Sequence, residues 1–354
     1  MNTSNFQSEP VATINHVELE HVFSDDTYQL TGVAVSKEGR VFTCYPLWPG
    51  PHKWGVVEIV GPDACTPYPD EKWNSWKHGD DGKNKWVCVQ AVYVDDDNYL
   101  WVVDPACPNM EEVYDNSFKL VKFNLANNSI EQVYRFDGVL SNKSYINDVR
   151  VDTQRKVAYL TNSNEGGIVV VDLETGTARE LLRNHYSVKH DPAFRLIVDG
   201  KEFQKNGEPV HLQSDGIALT RDGEWLYYEP LTDNKLYRIK TEFLRDEALE
   251  EDERKAAVED LGKFSVTDGM IFDKDGNLYL GDYRSYKMVK ITPERRQEDL
   301  VEDERLIWPD SYAITGDGYL YISCSQINKQ PDYNEGENKR TTPYAIYRMR
   351  LPDA

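Results

Sequence analysis

The feature that most constrains this chain is a sentence it repeats. The stretch VTDGMIFDKDGNLYLGD (Val266 to Asp282) has close variants at SDGIALTRDGEWLYYEP (Ser214 to Pro230), PDSYAITGDGYLYISC (Pro309 to Cys324) and TGVAVSKEGRVFTC (Thr31 to Cys44). Weaker copies stand at INDVRVDTQRKVAYLTN (Ile146 to Asn162) and VQAVYVDDDNYLWVVD (Val89 to Asp104). Each copy alternates apolar and polar residues, turns, and alternates again, which is a strand, a tight turn and a strand. Gly39, Gly223, Gly276 and Gly318 fall in the turns, where positive φ costs glycine little. Less regular strand pairs follow, such as GGIVVVDLETGTARELL, NKLYRIK and YKMVKIT. Six units of four strands predict an all-β fold, a six-bladed β-propeller, as one domain over 1–354, with a short disordered N-terminus of about 12 residues. Unequal spacing, from 42 residues (Asp268 to Asp310) to 68 (Asn147 to Asp215), predicts unequal loops. A β-sandwich does not account for six copies of one hairpin. The segment TTPYAIYRMRLP is expected to form a strand pair finishing the last blade, with Val17 to Phe23 as its outermost strand.

The composition suits such a core, with 40% apolar and 29% charged residues. A net charge of −21 argues against nucleic acid and anionic membrane as partners, because phosphate binding needs a basic face. MNTSNFQSEPVATINH lacks the basic and apolar regions of a secretory signal, so the expected location is cytoplasmic, or secreted if the sequence is a mature form. Five widely spaced cysteines (Cys44, Cys65, Cys88, Cys107, Cys324) offer no zinc or redox pair and read as buried thiols, with one disulfide left open.

Two segments break the β pattern. FLRDEALEEDERKAAVEDLGKF (Phe243 to Phe264) reads as one or two short surface helices between blades 4 and 5. Pro46 to Lys85 carries Trp48, Trp54, Trp73 and Trp76 and reads as a long aromatic loop over one end of the ring, contributing to a site or packing on the propeller. His185 and His190 fall in a loop-like stretch and read as packing residues.

Superposing the six copies puts Thr31, Gln90, Asn147, Asp215, Asp268 and Asp310 in one position, just before the strand that lines a propeller's channel. All six are polar and three are carboxylates on consecutive blades. Carboxylates brought together raise one another's pKa unless a cation neutralises them. Asn147, Asp215, Asp268 and Asp310 thus form a candidate ligand set for a hard divalent cation, with Ca2+ favoured. The plainer alternative is turn chemistry, with these oxygens capping backbone N–H groups. Asp273 to Asn277 is no EF-hand loop, because its glycine is fourth rather than sixth. Serine-hydrolase, zinc-hydrolase, P-loop and dinucleotide motifs are absent, so no organic cofactor is expected.

YINDVRVDTQRKVAYLTNSNEGGIVVVDLETG (Tyr145 to Gly176), LTGVAVSKEGRVF, CVQAVYVDDDNYLWVVD, YRIKTEFLRDEAL and RLIWPDSYAITGDGYLYISCSQ resemble, in order, the major royal jelly protein/Yellow family. The chain looks like a microbial, signal-less branch of it. The resemblance implies a six-bladed propeller. For activity it implies amine binding in the channel or dopachrome-type isomerisation. The phrases SDGIAL and DGNLY also resemble, more distantly, the gluconolactonase/senescence-marker superfamily. That likeness implies one divalent cation, with Asn147 and Asp268 matching ligands and Asp215 standing where a second asparagine would be. The first-blade glutamate is missing at Leu30, Thr31 and Gly32, and Asp310 is the candidate substitute.

Two functions follow. One is a metal-dependent lactone or ester hydrolase, with Asp268 or Asp215 as base and Thr31, Gln90 and Tyr145 orienting substrate. The other is a non-catalytic binder of small amines or aromatics, with Trp308 and Tyr312 beside the acidic mouth. Oligomeric state is not legible.

Overall fold

The computed structural model describes residues 17–352; the expected N-terminal tail of about 12 residues lies outside them. Six antiparallel sheets of four strands form the ring. Their innermost strands are Val33–Val35, Ala91–Val94, Ile146–Asp152, Ser214–Leu219, Met270–Phe272 and Pro309–Ile314, in blades 1 to 6. Blade 6 is closed by the N-terminal strand Glu20–Asp25, which pairs with Tyr344–Arg350 through Phe23 opposite Ile346. TTPYAIYRMRLP therefore supplies one strand, not two, and the start of the chain supplies the fourth.

The repeated hairpin forms because its alternation buries one side of each strand against the neighbouring blade. Trp101, Leu120 and Phe136 of blade 2 pack with Val149, Leu160 and Val169 of blade 3, all fully buried. At the outer end of the blade 5 hairpin, Asp273 closes the turn. Its carboxylate accepts the N–H groups of Asp275 (2.9 Å) and Asn277 (2.8 Å), the Asn277 amide (2.8 Å) and the Tyr279 hydroxyl (3.0 Å).

Three segments differ from expectation. The helices Thr241–Arg245 and Glu251–Ala256 lie within blade 4, between its third and fourth strands, because Glu259–Lys263 pairs as the outer strand. The Pro46–Lys85 segment contains the two outer strands of blade 1, Val56–Gly61 and Ala64–Pro67. Its Trp73 is buried between blades 1 and 2 with Trp86, while Trp48 reaches the channel mouth. Residues 182–213, between blades 3 and 4, carry two small two-residue ladders. All five cysteines are unpaired thiols. Among the described residues no helix is long and apolar enough to cross a membrane.

Candidate functional site

The site grows from the inner strands. Three of them carry a register irregularity at the residue of interest: between Ile146 and Val149, between Ser214 and Gly216, and between Pro309 and Tyr312. Such bulges re-aim a side chain, and here they lie at Asn147, Asp215 and Asp310. The Asp-Gly pairs have a different origin from turn chemistry. A Cβ on Gly216 would stand 2.2 Å from the carbonyl oxygen of Asp268, and one on Gly269 would stand 2.4 Å from that of Asp310. Glycine follows each aspartate because the next blade's backbone presses there.

Asp215 and Asp268 are both buried and both line a cavity of about 50 Å3 at the channel mouth. Asn147 Nδ2 donates to Asp215 Oδ2 at 2.8 Å and to Ser163 Oγ at 3.0 Å. Trp308 Nε1 donates to Asp268 Oδ2 at 2.7 Å. Among the described residues, no Lys or Arg forms an ion pair with either carboxylate. Burial, then the neighbouring Asp268 charge, pushes Asp215 well above the usual carboxylate range. Burial also raises Asp268, against the opposing Trp308 hydrogen bond, to about 7. The two face each other as a pair that gives up its protons in shared steps. Deeper in the channel, Arg150 pairs with Asp148 (3.0 Å), donates to the Met270 carbonyl on blade 5 (2.6 Å) and lies over the Tyr93 ring on blade 2 (5.2 Å). The mouth is therefore a cup with the Arg150–Asp148 ion pair below it.

The other sequence-derived positions divide. Gln90 and Tyr145 line the cavity, with the Tyr145 hydroxyl donating to Gln90 Oε1 at 2.7 Å. Thr31 does not line it; its hydroxyl donates to the Gln90 carbonyl at 2.8 Å and ties blade 1 to blade 2. Tyr312 is buried between blades, its hydroxyl donating to the Pro309 carbonyl at 3.1 Å. Trp308 is fully buried and stands behind Asp268 instead of lining the wall. Its φ of +58° is rare for so bulky a residue, and such strain gathers at functional sites. Asp310 is buried outside the cavity lining, and among the described residues its Oδ2 has no hydrogen-bond partner. Burial, then the Asp268 charge, pushes its carboxyl well above the usual range.

The donor set of three carboxylates and an amide is right in chemistry for Ca2+. The arrangement does not fit it. Among the described residues no three carboxylate, histidine or cysteine groups converge closely enough to hold an ion, and Asn147 turns its N–H toward Asp215.

Sequence reasoning missed the roof. Trp48, Met110, Leu212, Ile327 and Tyr333 come from four irregular loops. Such loops have no period to reveal them, and only the tryptophan-rich Pro46–Lys85 stretch gave a signal. A larger hollow of about 600 Å3 lies by the outer strands of blades 4 and 5. Its charges largely neutralise one another, as in Arg284–Asp282 (3.1 Å) and Lys287–Asp299 (2.9 Å).

The sequence profile of the family described as Major royal jelly protein matches residues 87–353. The chain belongs to that family. Protein yellow of Drosophila melanogaster is 24% identical over 227 residues, covering 62% of this chain and 41% of the fly protein. Major royal jelly protein 7 of Apis mellifera is 24% identical over 237 residues, covering 62% of this chain and 49% of the bee protein. The chain thus matches about half or less of these relatives' length. A gluconolactonase from Xanthomonas campestris shares the fold, with a TM-score of 0.57 over 96% of this chain and 91% of that one at 10% identity.

Proposed function

We propose that the channel mouth binds a small organic cation with an apolar or aromatic body. The observation that carries this reading is the Asp215–Asp268 pair: two carboxylates buried at the cavity floor with no cationic side chain among the described residues paired to either. A buried carboxylate pair is costly until a positive charge meets it. An ammonium group fills that role and lets the pair release a proton. The walls suit the remainder of such a molecule, since Trp48, Tyr145 and Tyr333 present rings and Leu212, Leu231 and Ile327 present aliphatic groups. Calorimetry against phenethylamine, benzylamine and uncharged analogues of the same shape tests this. The amines are expected to bind and the uncharged analogues to bind far more weakly. A flat response to every amine overturns the reading.

A second reading is acid–base catalysis, favoured by the pKa of Asp268 near 7, where a carboxyl exchanges protons efficiently at neutral pH. Isomerisation of a quinone-like compound belongs to this class. The rival reading, a Ca2+-dependent lactone or ester hydrolase, draws on the oxygen donor set and on likeness of fold. It requires Asp310 to join Asp215 and Asp268 in one shell. Elemental analysis showing one divalent ion per chain, with chelator-sensitive lactone hydrolysis, would favour that rival over the amine site.

A further inference from the structure

The cavity over Asp215 and Asp268, about 50 Å3, has room for a few water molecules and is far below the roughly 300 Å3 of a small-molecule pocket. An organic ligand enters only if the roof moves. We infer that residues 196–210 are a gate over this site, latched by charge and mechanically tied to Asp268 through Phe203 and Trp308. The inference rests on the channel-mouth reading above.

The gate segment has little backbone structure of its own. It consists of two ladders of two residues each, Ile197–Val198 with Lys201–Glu202 and Gln204–Lys205 with Glu208–Pro209. It meets the blade 6 loop, residues 327–334, through two reciprocal ion pairs. Lys205 of the gate reaches Asp332 at 2.8 Å, and Lys329 of the loop reaches Asp199 of the gate at 2.7 Å. Lys205 and Asp332 also line the cavity, so the first pair lies at the entrance itself. Lys201 adds a bond to Asn334 Oδ1 at 2.8 Å. The four ion-paired side chains keep 23% to 45% of their surface in water. Pairs of that kind are weak and are screened by salt, which suits a latch that opens and recloses.

Beneath the latch runs a stack of rings. Phe203 is buried against Tyr333, with centroids 4.3 Å apart, and against Trp308 at 5.5 Å. Trp308 lies flat on Tyr283 at 4.0 Å and donates its indole N–H to Asp268. Lifting the gate removes the Phe203 ring from its contact with this indole, while Tyr283 stays stacked on it. Trp308, in its left-handed backbone conformation, is thus the positioning residue between roof and floor.

Carboxyl footprinting tests the gate without any bound ligand. The protein is treated with carbodiimide and glycine ethyl ester, and labelling of Asp215, Asp268 and Asp273 is read by peptide mass spectrometry. Asp273 is the internal reference, because it too is buried but lies in the hairpin turn. Raising salt from about 0.05 M to about 0.5 M is expected to speed labelling of Asp215 and Asp268 by about threefold or more, with Asp273 unchanged. K205D and D332K are expected to give about three- to tenfold faster labelling, and the double variant K205D/D332K to return to the wild-type rate. Labelling of Asp215 and Asp268 that ignores both salt and the single substitutions overturns the gate. So does a charge-swapped double variant that labels as fast as the singles. If the labelling pattern appears but no amine binds, the gate stands and the ligand reading falls. If amines bind while labelling stays flat, the reverse holds.

Discussion

Asp268 and Asp273 stand five residues apart in one hairpin, and both are buried. At the turn, the Asp273 carboxylate accepts four hydrogen bonds from its own hairpin. At the channel mouth, Asp268 accepts one from Trp308 among the described residues, and its remaining polar neighbour is the carboxyl of Asp215. The first is a staple, fully used by the fold. The second is left short of partners, and its burial raises its pKa to about 7. Folds satisfy their buried polar groups wherever they can, so a shortage at one end of a hairpin and sufficiency at the other separates site from scaffold.

That contrast can be broken by substitution. The largest expected effect is D268N on binding: amine affinity should fall about 100-fold, of order 3 kcal/mol, as measured by calorimetry. Next is D273A, which strips the acceptor from four donors. It should destabilise the fold by about 2 kcal/mol in denaturant titration and leave amine affinity nearly unchanged. If D273A instead abolished binding while the fold held, the division between staple and site would be wrong. W308F keeps a ring in the stack but removes the indole donor. It should move the pH midpoint of amine binding upward and weaken binding at pH 7 by about fivefold, or about 1 kcal/mol.

The gentlest effect is on stability against pH. Asp268 keeps its proton in the folded chain up to about 7, against an ordinary value of 3.8. Its contribution to stability is therefore complete below about 4 and is lost as pH rises through about 7. D268N removes that titration. Relative to the wild type it should become more stable across this window, by of order 1 kcal/mol once the proton shared with Asp215 is allowed for. A thermal series from pH 4 to 8 checks the slope, and a gap that narrows with rising pH would contradict it.

Much of this fold was legible in the sequence because a propeller repeats its core. Met270 and Leu280 recur as Ile217 and Tyr228, so blade count and hairpin turns follow from periodicity. The site was legible only as a ring of positions. Periodicity ranks Thr31 and Asp268 alike, yet the Thr31 hydroxyl is spent on the neighbouring blade's carbonyl while Asp268 opens into the cavity. Asp310 likewise shares the ring but lies behind its surface, as does Tyr312 two residues on. The Asp-Gly pairs resemble turn signals, whereas the glycines answer to close backbone contact between blades. Lys205, Asp332 and Tyr333 sit in loops with no repeat, and Phe203 meets Trp308 across more than a hundred residues. Only three-dimensional packing brings such residues together.

The central claim is that a cation meets a carboxylate pair that shares a proton, and proton release on binding tests it most directly. Phenethylamine titrations in buffers of differing ionisation enthalpy give the number of protons released. The wild type should release more protons at pH 6 than at pH 8, and D268N, which keeps only the Asp215 carboxyl, should release fewer than the wild type at pH 6. Binding with no proton release at pH 6, or equal release in the wild type and D268N, would contradict the account.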